Sequence, residues 1–456
     1  MTTLKQYIDI FDNNVEMLNS GSCDVMNSLR KGASETLKNA TLPKKGSEDY
    51  EHCDLTAILS PDYGLNIARV PMKVNPALSF KCDVPNMSTA LFFLINDSFA
   101  STDNSYNKLP DNAYIGSLKK IASQHPEIIS KYYGTVAEMS NPLVALNTML
   151  AQDGFVIYVP KGVKVEKPIQ LVNILQSEMP LMVCRRILII LEENAEAQLL
   201  MCDHTQNNSH EYLNLQTIEI IAKRGAKFDI YDLEESSVKT NRLSSLYLHQ
   251  EEDSNVLIDG ITLFNGHTRN EYVCTFKGEH SELQLLGMGI EDDMRTLDTY
   301  SLIRHNVKNC HSNELFKYVL DDHATGSFSG RIYVAPYATN TTAYQANRNV
   351  VGSESAKMHS KPQLEIYNDD VKCSHGTAIG QLDEQQLFYM RTRGLSEEIA
   401  KTLLKQAFMS DVIDGVRLPA LKDRLRMLVE NRFSGGKSGC ASCSADCHIE
   451  NLEKND

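Results

Sequence analysis

From about residue 155 to about 380 the chain is a succession of short extended runs with no helical period between them, and this limits the possible folds more than any other feature. The runs are "IQLVNIL", "RILIIL", "AQLLMCD", "LQTIEIIA", "AKFDIYDL", "LYLHQ", "NVLIDGITLF", "ELQLLGMGI", "RIYVA" and "PQLEIYN". Each is rich in β-branched or other apolar residues, and polar turns such as "EENAE", "AKRGA", "QEEDS" and "KGEHS" separate them. Several turns share one form: charged residues, a small residue, then an alternating strand. The small residues are Ala195, Ala226, Ser254 and Ser281, a loose repeat of roughly 27 to 31 residues. A stack of strand coils explains many short strands without intervening helices. A β-sandwich is the competing architecture, and the period alone favours the stack only slightly.

The flanks read differently. Up to about residue 135 helix-like segments alternate with polar breaks such as "LPKKGSEDYEHCDL" and "STDNSYNKLPDN". "NPLVALNTMLAQDG" has apolar residues at helical spacing and a glycine that reads as its stop, and it leads directly into the extended "FVIYVPKGVKV". After Gly380 the helical period returns. Asp383 with Gln386 three residues later is a capping-box signature, "LFYMRTR" continues the helix and Gly394 ends it. Ser396 starts a second helix, and Pro419 opens a third in the first-turn position where its missing donor matters little. The expected organisation is therefore a mainly helical region at 1–135, a strand core at 136–380, a helical docking module at 381–433 and a Cys-rich tail at 434–456.

At 456 residues the chain can bury a sizeable core without staples. A formal charge of -14 argues against a phosphate backbone or an anionic membrane surface as partner. No apolar run reaches about 18 residues, and the start "MTTLKQYIDIFDNN" lacks the basic-then-apolar order of a signal peptide. The expectation is a cytoplasmic protein whose eleven cysteines are mainly reduced thiols. Cys184, Cys202 and Cys274, in apolar or alternating stretches, read as core packing. The scattered His204, His249, His305 and His323 read as surface or strand-edge residues. No nucleophile elbow, dinucleotide fingerprint or kinase set appears, and "SGGKSG" lacks the earlier glycine of a phosphate loop.

Two groups of residues carry metal-ligand chemistry. Cys373 and His375 stand at i and i+2, so in an extended "VKCSH" their side chains leave one face while Ser374 leaves the other. A thiolate and an imidazole suit iron or zinc, yet two ligands do not close a tetrahedral site. A half-buried strand end is the plainer reading, and a site would need ligands from elsewhere. In the tail, Cys440, Cys443 and Cys447 form C-x2-C-x3-C with His448 adjacent, a spacing for metal or cluster binding that competes with simply exposed thiols.

One stretch carries a specific resemblance. "LDDHATGSFSGRIYVAPYATNTTAYQANRNVVGSESAKMHSKPQLEIYNDDVKCSHGTAIGQLDEQQLFYMRTRGLSEEIAKTLLKQAF", Leu320 to Phe408, closely resembles the SufB/SufD family of SUF iron-sulfur cluster assembly proteins. "AQDGFVIYVPKGVKVEKPIQL" resembles that family's entry into its core, and "GSEDYEHCDL" the segment after its first helices. Asn347 stands in "AYQANRNVV" where SufB-type members carry a cysteine, which favours the SufD type. The resemblance implies a mainly β fold: a right-handed parallel β-helix core between an N-terminal helical region and a C-terminal helical module. It implies a non-catalytic subunit that pairs with a SufB-type paralogue and docks a SufC-type ABC ATPase, with a homodimer expected when the subunit is alone. Cys373 and His375 would then hold iron or a nascent iron-sulfur cluster shared with SufB. Asp383, Leu387, Phe388, Arg391, Arg393 and Gly394 would lie on the ATPase-facing surface, and capping the open end of the β-helix is a role those helices could share. Reduced flavin is associated with such complexes, but no flavin fingerprint is present. A structural adaptor without a metal role and a β-helix enzyme acting on polysaccharides are the alternatives.

Overall fold

The computed structural model describes residues 3–70, 88–100, 109–110 and 112–435. Its body is built from strands β4 (Gly154–Val159), β5 (Ile169–Leu175), β6 (Leu181–Leu191), β7 (Glu196–Thr205), β8 (Tyr212–Ala222), β9 (Lys227–Glu235), β10 (Thr240–Gln250), β11 (Asn255–Phe264), β12 (His267–Phe276), β13 (Glu282–Glu291), β14 (Thr296–His305), β15 (His311–Leu320), β16 (Thr325–Val334), β17 (Thr341–Val351), β18 (Lys357–Ile366) and β19 (Val371–Gly380). Even-numbered strands form one sheet and odd-numbered strands the other, each pairing in parallel with the strand two places on. Two strands make a coil, so the stack has eight coils. This is a parallel β-solenoid, and the sandwich reading fails because no strand from β5 onward pairs antiparallel among the described residues.

The loose repeat has a backbone cause. Asn194, Asp253, His280, Asn309 and Asn340 take left-handed φ values of 56°, 56°, 60°, 61° and 54° at one corner of successive coils, with Gly162 and Gly225 in the same place. Asn and Asp tolerate this region better than most residues. The corner N–H of Asn194 donates to the carbonyl of Arg224, that of Gly225 to Glu252 and that of Asp253 to Glu279, so each turn is bonded to the next. The following small residue, Ala195, Ala226, Ser254 or Ser281, is fully buried inside the corner.

Each sheet has an outer cover. Helices α1 (Thr3–Ser20), α2 (Asp24–Asn39) and α6 (Pro142–Leu150), with the short α3 (Leu55–Leu59), α4 (Leu118–Gln124) and α5 (Pro126–Ile129), bury a cluster against the even sheet that includes Cys184, Leu188, Leu215 and Tyr247. Helices α8 (Glu397–Gly415) and α9 (Pro419–Phe433) cover the odd sheet through Met409, Ile413, Leu421 and Leu425 over Leu257, Leu286 and Val319. The separate interior cluster between the sheets holds Ile187, Leu199, Ile220 and Phe316. Strands covered on both faces read as unbroken apolar runs: all eleven residues of β6 are buried.

Among the described residues three strands precede residue 136: β1 (Ala90–Ile95), β2 (Ser98–Ala100) and β3 (Tyr114–Ser117), and they extend the two sheets through pairs with β5 and β4. Gly154 is not the stop of α6. It opens β4, where a Cβ would come within 1.9 Å of the Arg186 carbonyl, and the helix ends at Ala151. Cys184, Cys202 and Cys274 are buried as expected. His305 is not a surface residue: its ring is fully buried, 2.9 Å from the Ser312 hydroxyl, and burial lowers its pKa to about 3. None of the described helices is long and apolar enough to cross a membrane.

Candidate functional site

The stack ends on β18 and β19, each bonded to a strand on one side only. Unpaired strand edges offer a row of free backbone donors and acceptors. Helices α8 and α9 do not close this end; they lie along the flank of the odd sheet. Lys317 on β15 reaches the Phe408 carbonyl at 2.7 Å and the Asp411 carboxylate at 2.5 Å, Lys405 pairs with Asp321 at 2.6 Å and Arg417 with Asp229 at 2.9 Å. The capping role is thereby excluded for these helices.

Cys373 and His375 lie on the last strand, in register with Ala343 and Gln345 of β17. Cys373 is half-buried beside Ala343 and Ile332, whereas His375 is exposed. Burial pushes the Cys373 thiol up, with a partial offset from the Ala343 backbone, so a cation that compensates the thiolate would favour its ionisation. No group of three or more His, Cys, Asp or Glu that could hold a metal occurs among the described residues. Among the described residues Cys373 and His375 thus stand as a pair of candidate ligands, and two ligands do not close a tetrahedral site. Asn347 is fully buried, with its Oδ1 accepting from Asn349 and from Ser360, each at 2.7 Å.

The expected docking residues divide by role. Asp383 is the cap of α7 (Glu384–Thr392), accepting the Gln385 and Gln386 N–H groups at 2.8 and 3.2 Å. Gly394, at φ +93°, ends that helix. Ser396 caps α8 through the Ile399 N–H at 3.2 Å. Arg393 stacks over Tyr389, Arg391 pairs with Glu397 at 3.3 Å, and Leu387 is half-buried. Phe388 (70% exposed), Tyr389 (58%), Ile399 (51%) and Leu403 (40%) leave apolar side chains in solvent on α7 and the first half of α8, and such grouped exposure marks interaction surfaces. Beside them a groove of about 470 Å³ runs between β19 and α8, lined in part by Ile379, Leu382 and Phe408. Cys440, Cys443, Cys447 and His448 lie outside the described residues.

Some contacts escaped the sequence reading. The segment carrying "EDYEHC" crosses the outer face of the even sheet: Tyr50 lies under Arg269 and donates to Glu271 at 2.7 Å, and the rings of His52 and His359 stack 3.8 Å apart. Cys53 Sγ sits 3.8 Å from His267 Nε2, a geometry that suggests a nucleophile pair. Burial pushes that thiol up to about 12, so it stays protonated at neutral pH and serves packing. Glu314 and Gln345 lie inside the solenoid below the exposed end; the polar residues at alternate positions of "HSNEL" and "TAYQANRN" are the signal that points to them.

Two family models together match most of the chain. Residues 173–408 match the family described as "SUF system FeS cluster assembly, SufBD core domain", and residues 1–171 match "SufBD protein N-terminal region". An iron-sulfur cluster assembly SufBD family protein of Synechocystis sp. is 28% identical over 422 residues, covering 91% of this chain and 92% of the relative. The iron-sulfur cluster assembly protein SufD of Escherichia coli is 29% identical over 299 residues, covering 64% and 69%. The chloroplastic protein ABCI7 of Arabidopsis thaliana is 27% identical over 409 residues, covering 87% and 84%.

Proposed function

Since this chain belongs to the SUF iron-sulfur cluster assembly SufB/SufD family, we propose that it is a non-catalytic, cytoplasmic SufD-type subunit that joins a SufB-type paralogue at its open solenoid end and docks a SufC-type ABC ATPase through α7 and α8. Cys373 and His375 contribute to a site shared with the paralogue, where iron or a growing cluster is the cargo. The observation that carries this reading is the placement of both ligands on an edge strand, with no third ligand among the described residues. A strand added to that edge would place a partner's side chains about 4.8 Å away, close enough to complete the iron's coordination. In the paralogue's absence the same edges pair two copies of this chain.

The exposed position of His375 and the half-burial of Cys373 suit a transient cargo, which has to arrive and leave. Soft thiolate and imidazole ligands fit iron. The test is co-expression of the full chain with its host's paralogue and ATPase, followed by iron and sulfide analysis of the purified complex. Cys373→Ala is expected to leave the complex assembled and to lower bound iron and acid-labile sulfide at least fivefold. An intact complex with unchanged iron and sulfide would overturn the shared-site reading in favour of a structural adaptor.

The docking surface has its own expected outcome. Phe388→Asp combined with Tyr389→Asp replaces solvent-exposed side chains, so stability should change by no more than about 0.5 kcal/mol per site. Recovery of the ATPase with the complex should fall more than tenfold in a pull-down, while the paralogue is retained. Equal ATPase recovery would place the docking surface elsewhere.

A further inference from the structure

Inside the solenoid a column of three polar residues rises to the open end. Strand register sets Glu314 of β15 beside Gln345 of β17, and Gln345 beside His375 of β19. Glu314 is fully buried and Gln345 is 2% exposed. The Gln345 Nε2 donates to Glu314 Oε2 at 2.7 Å, and the Ser301 hydroxyl is the other polar group at that carboxyl. Gly330 on the facing strand leaves room for the amide, since a Cβ there would come within 2.4 Å of Gln345 Nε2. Two acceptors are left over: Glu314 Oε1 and Gln345 Oε1 are buried and have no hydrogen-bond partner among the described residues, and the Gln345 oxygen is the one nearer the open end in the strand order.

A buried acceptor without a partner is destabilising, and in this column the next residue able to donate to Gln345 Oε1 is His375. An imidazole that binds a metal through one nitrogen commonly donates its other N–H to a fixed oxygen, which sets the tautomer and the ring orientation. We infer that Gln345, itself held by Glu314, is the positioning residue for His375: its free Oε1 accepts one ring N–H and leaves the other nitrogen unprotonated as the ligand. This rests on the reading of His375 as half of a shared iron site. Glu314 fits the part because its surroundings are neutral: burial raises its pKa to about 7, so at neutral pH it can anchor the amide as acid or as carboxylate.

Two measurements separate this inference from the reading beneath it. In the full-length chain with ring-15N-labelled histidine at pH 8, His375, assigned by the signal lost in His375→Gln, should show a single tautomer. Gln345→Met should turn it into a mixture of both tautomers, and Gln345→Glu paired with Glu314→Gln, which swaps the acid and the amide and keeps an acceptor oxygen at 345, should restore the single form. The swapped pair guards against a folding defect in the methionine variant. In the assembled complex titrated with Fe2+ alone, Gln345→Met should weaken iron binding about 10- to 100-fold. A wild-type His375 already in both tautomers, or one that Gln345→Met does not alter, would overturn the inference. A tautomer change alongside a wild-type complex that binds no iron would keep the Gln345 contact and sink the shared iron site.

Discussion

Glu219→Ala is expected to lower the unfolding free energy by about 3–5 kcal/mol, the range for breaking one side of a buried ion pair. Glu219 and Arg186 are both completely buried on the outer face of the even sheet, 2.5 Å apart. The same carboxylate accepts three backbone N–H groups from the segment before α6, those of Gly134 (2.9 Å), Val136 and Ala137 (both 3.0 Å). It therefore ties the N-terminal cover to the solenoid. Burial would raise its pKa, but Arg186 and those N–H groups outweigh that and hold the carboxyl below its ordinary value. Its stabilising contribution is thus full above the unfolded carboxylate range and is lost as pH falls through the lowered folded value. Removing the partner as well, in Glu219→Ala with Arg186→Met, should recover only part of the loss, because three backbone donors remain without an acceptor. The sequence has no Trp, so denaturant titration followed by far-UV circular dichroism and tyrosine fluorescence is the measurement. A midpoint within error of wild type would show that the pair does not hold the cover in place.

The second large effect has the opposite sign. Asp259 is fully buried beneath the C-terminal helices, in register with Tyr231 and Leu286, and neither carboxylate oxygen has a hydrogen-bond partner among the described residues. Burial raises its pKa to about 8. The folded protein thus keeps a proton there that the unfolded chain loses from about pH 4 upward, and stability falls as pH rises between those values. Asp259→Asn removes the titration while keeping the shape. The variant should match wild type near pH 4 and exceed it by about 2–4 kcal/mol at pH 8, a discounted fraction of the full shift at about 1.4 kcal/mol per unit. Denaturant midpoints of both proteins at pH 5, 6.5 and 8 test this. A gap that stays constant or narrows with pH would refute the buried-acid account of this position.

The coil corners and the C-terminal helices were legible in the sequence because both are set locally. A small buried residue after a left-handed corner, as at Ala195 and Ala226, leaves a mark in the residue order, and so do the caps Asp383 and Ser396. Strand pairing was less legible because partners lie about one coil apart, and β6, buried on both faces, has no alternation to tell inside from outside. The segment of β1 and β3 looked like a polar-broken helical region because short strands at the start of a stack have few residues in which to show a period. His305 was read as a surface residue because the histidines are scattered, a reading that leaves the solenoid interior to apolar side chains. Part of that interior is polar, holding Arg185 with Asp203, Arg242 with Asp232, and Glu314 with Gln345. The same reading hid the column under His375. Cys373 and His375 were singled out as candidates by type and spacing, while their place on an uncovered edge required the fold.

The bonded corners also bear on mechanics. Successive coils are joined by two sheets and, at corners such as Asn194, Gly225, Asp253, Asn309 and Asn340, by a hydrogen bond, so the stack resists compression along its axis and bends little. From β11, where α9 packs, to β19 is four coils, about 19 Å at 4.8 Å per coil. A push delivered to the C-terminal helices therefore cannot be absorbed between coils. It would pass along the stack as a rigid-body displacement that carries Cys373 and His375 with the coils beneath them.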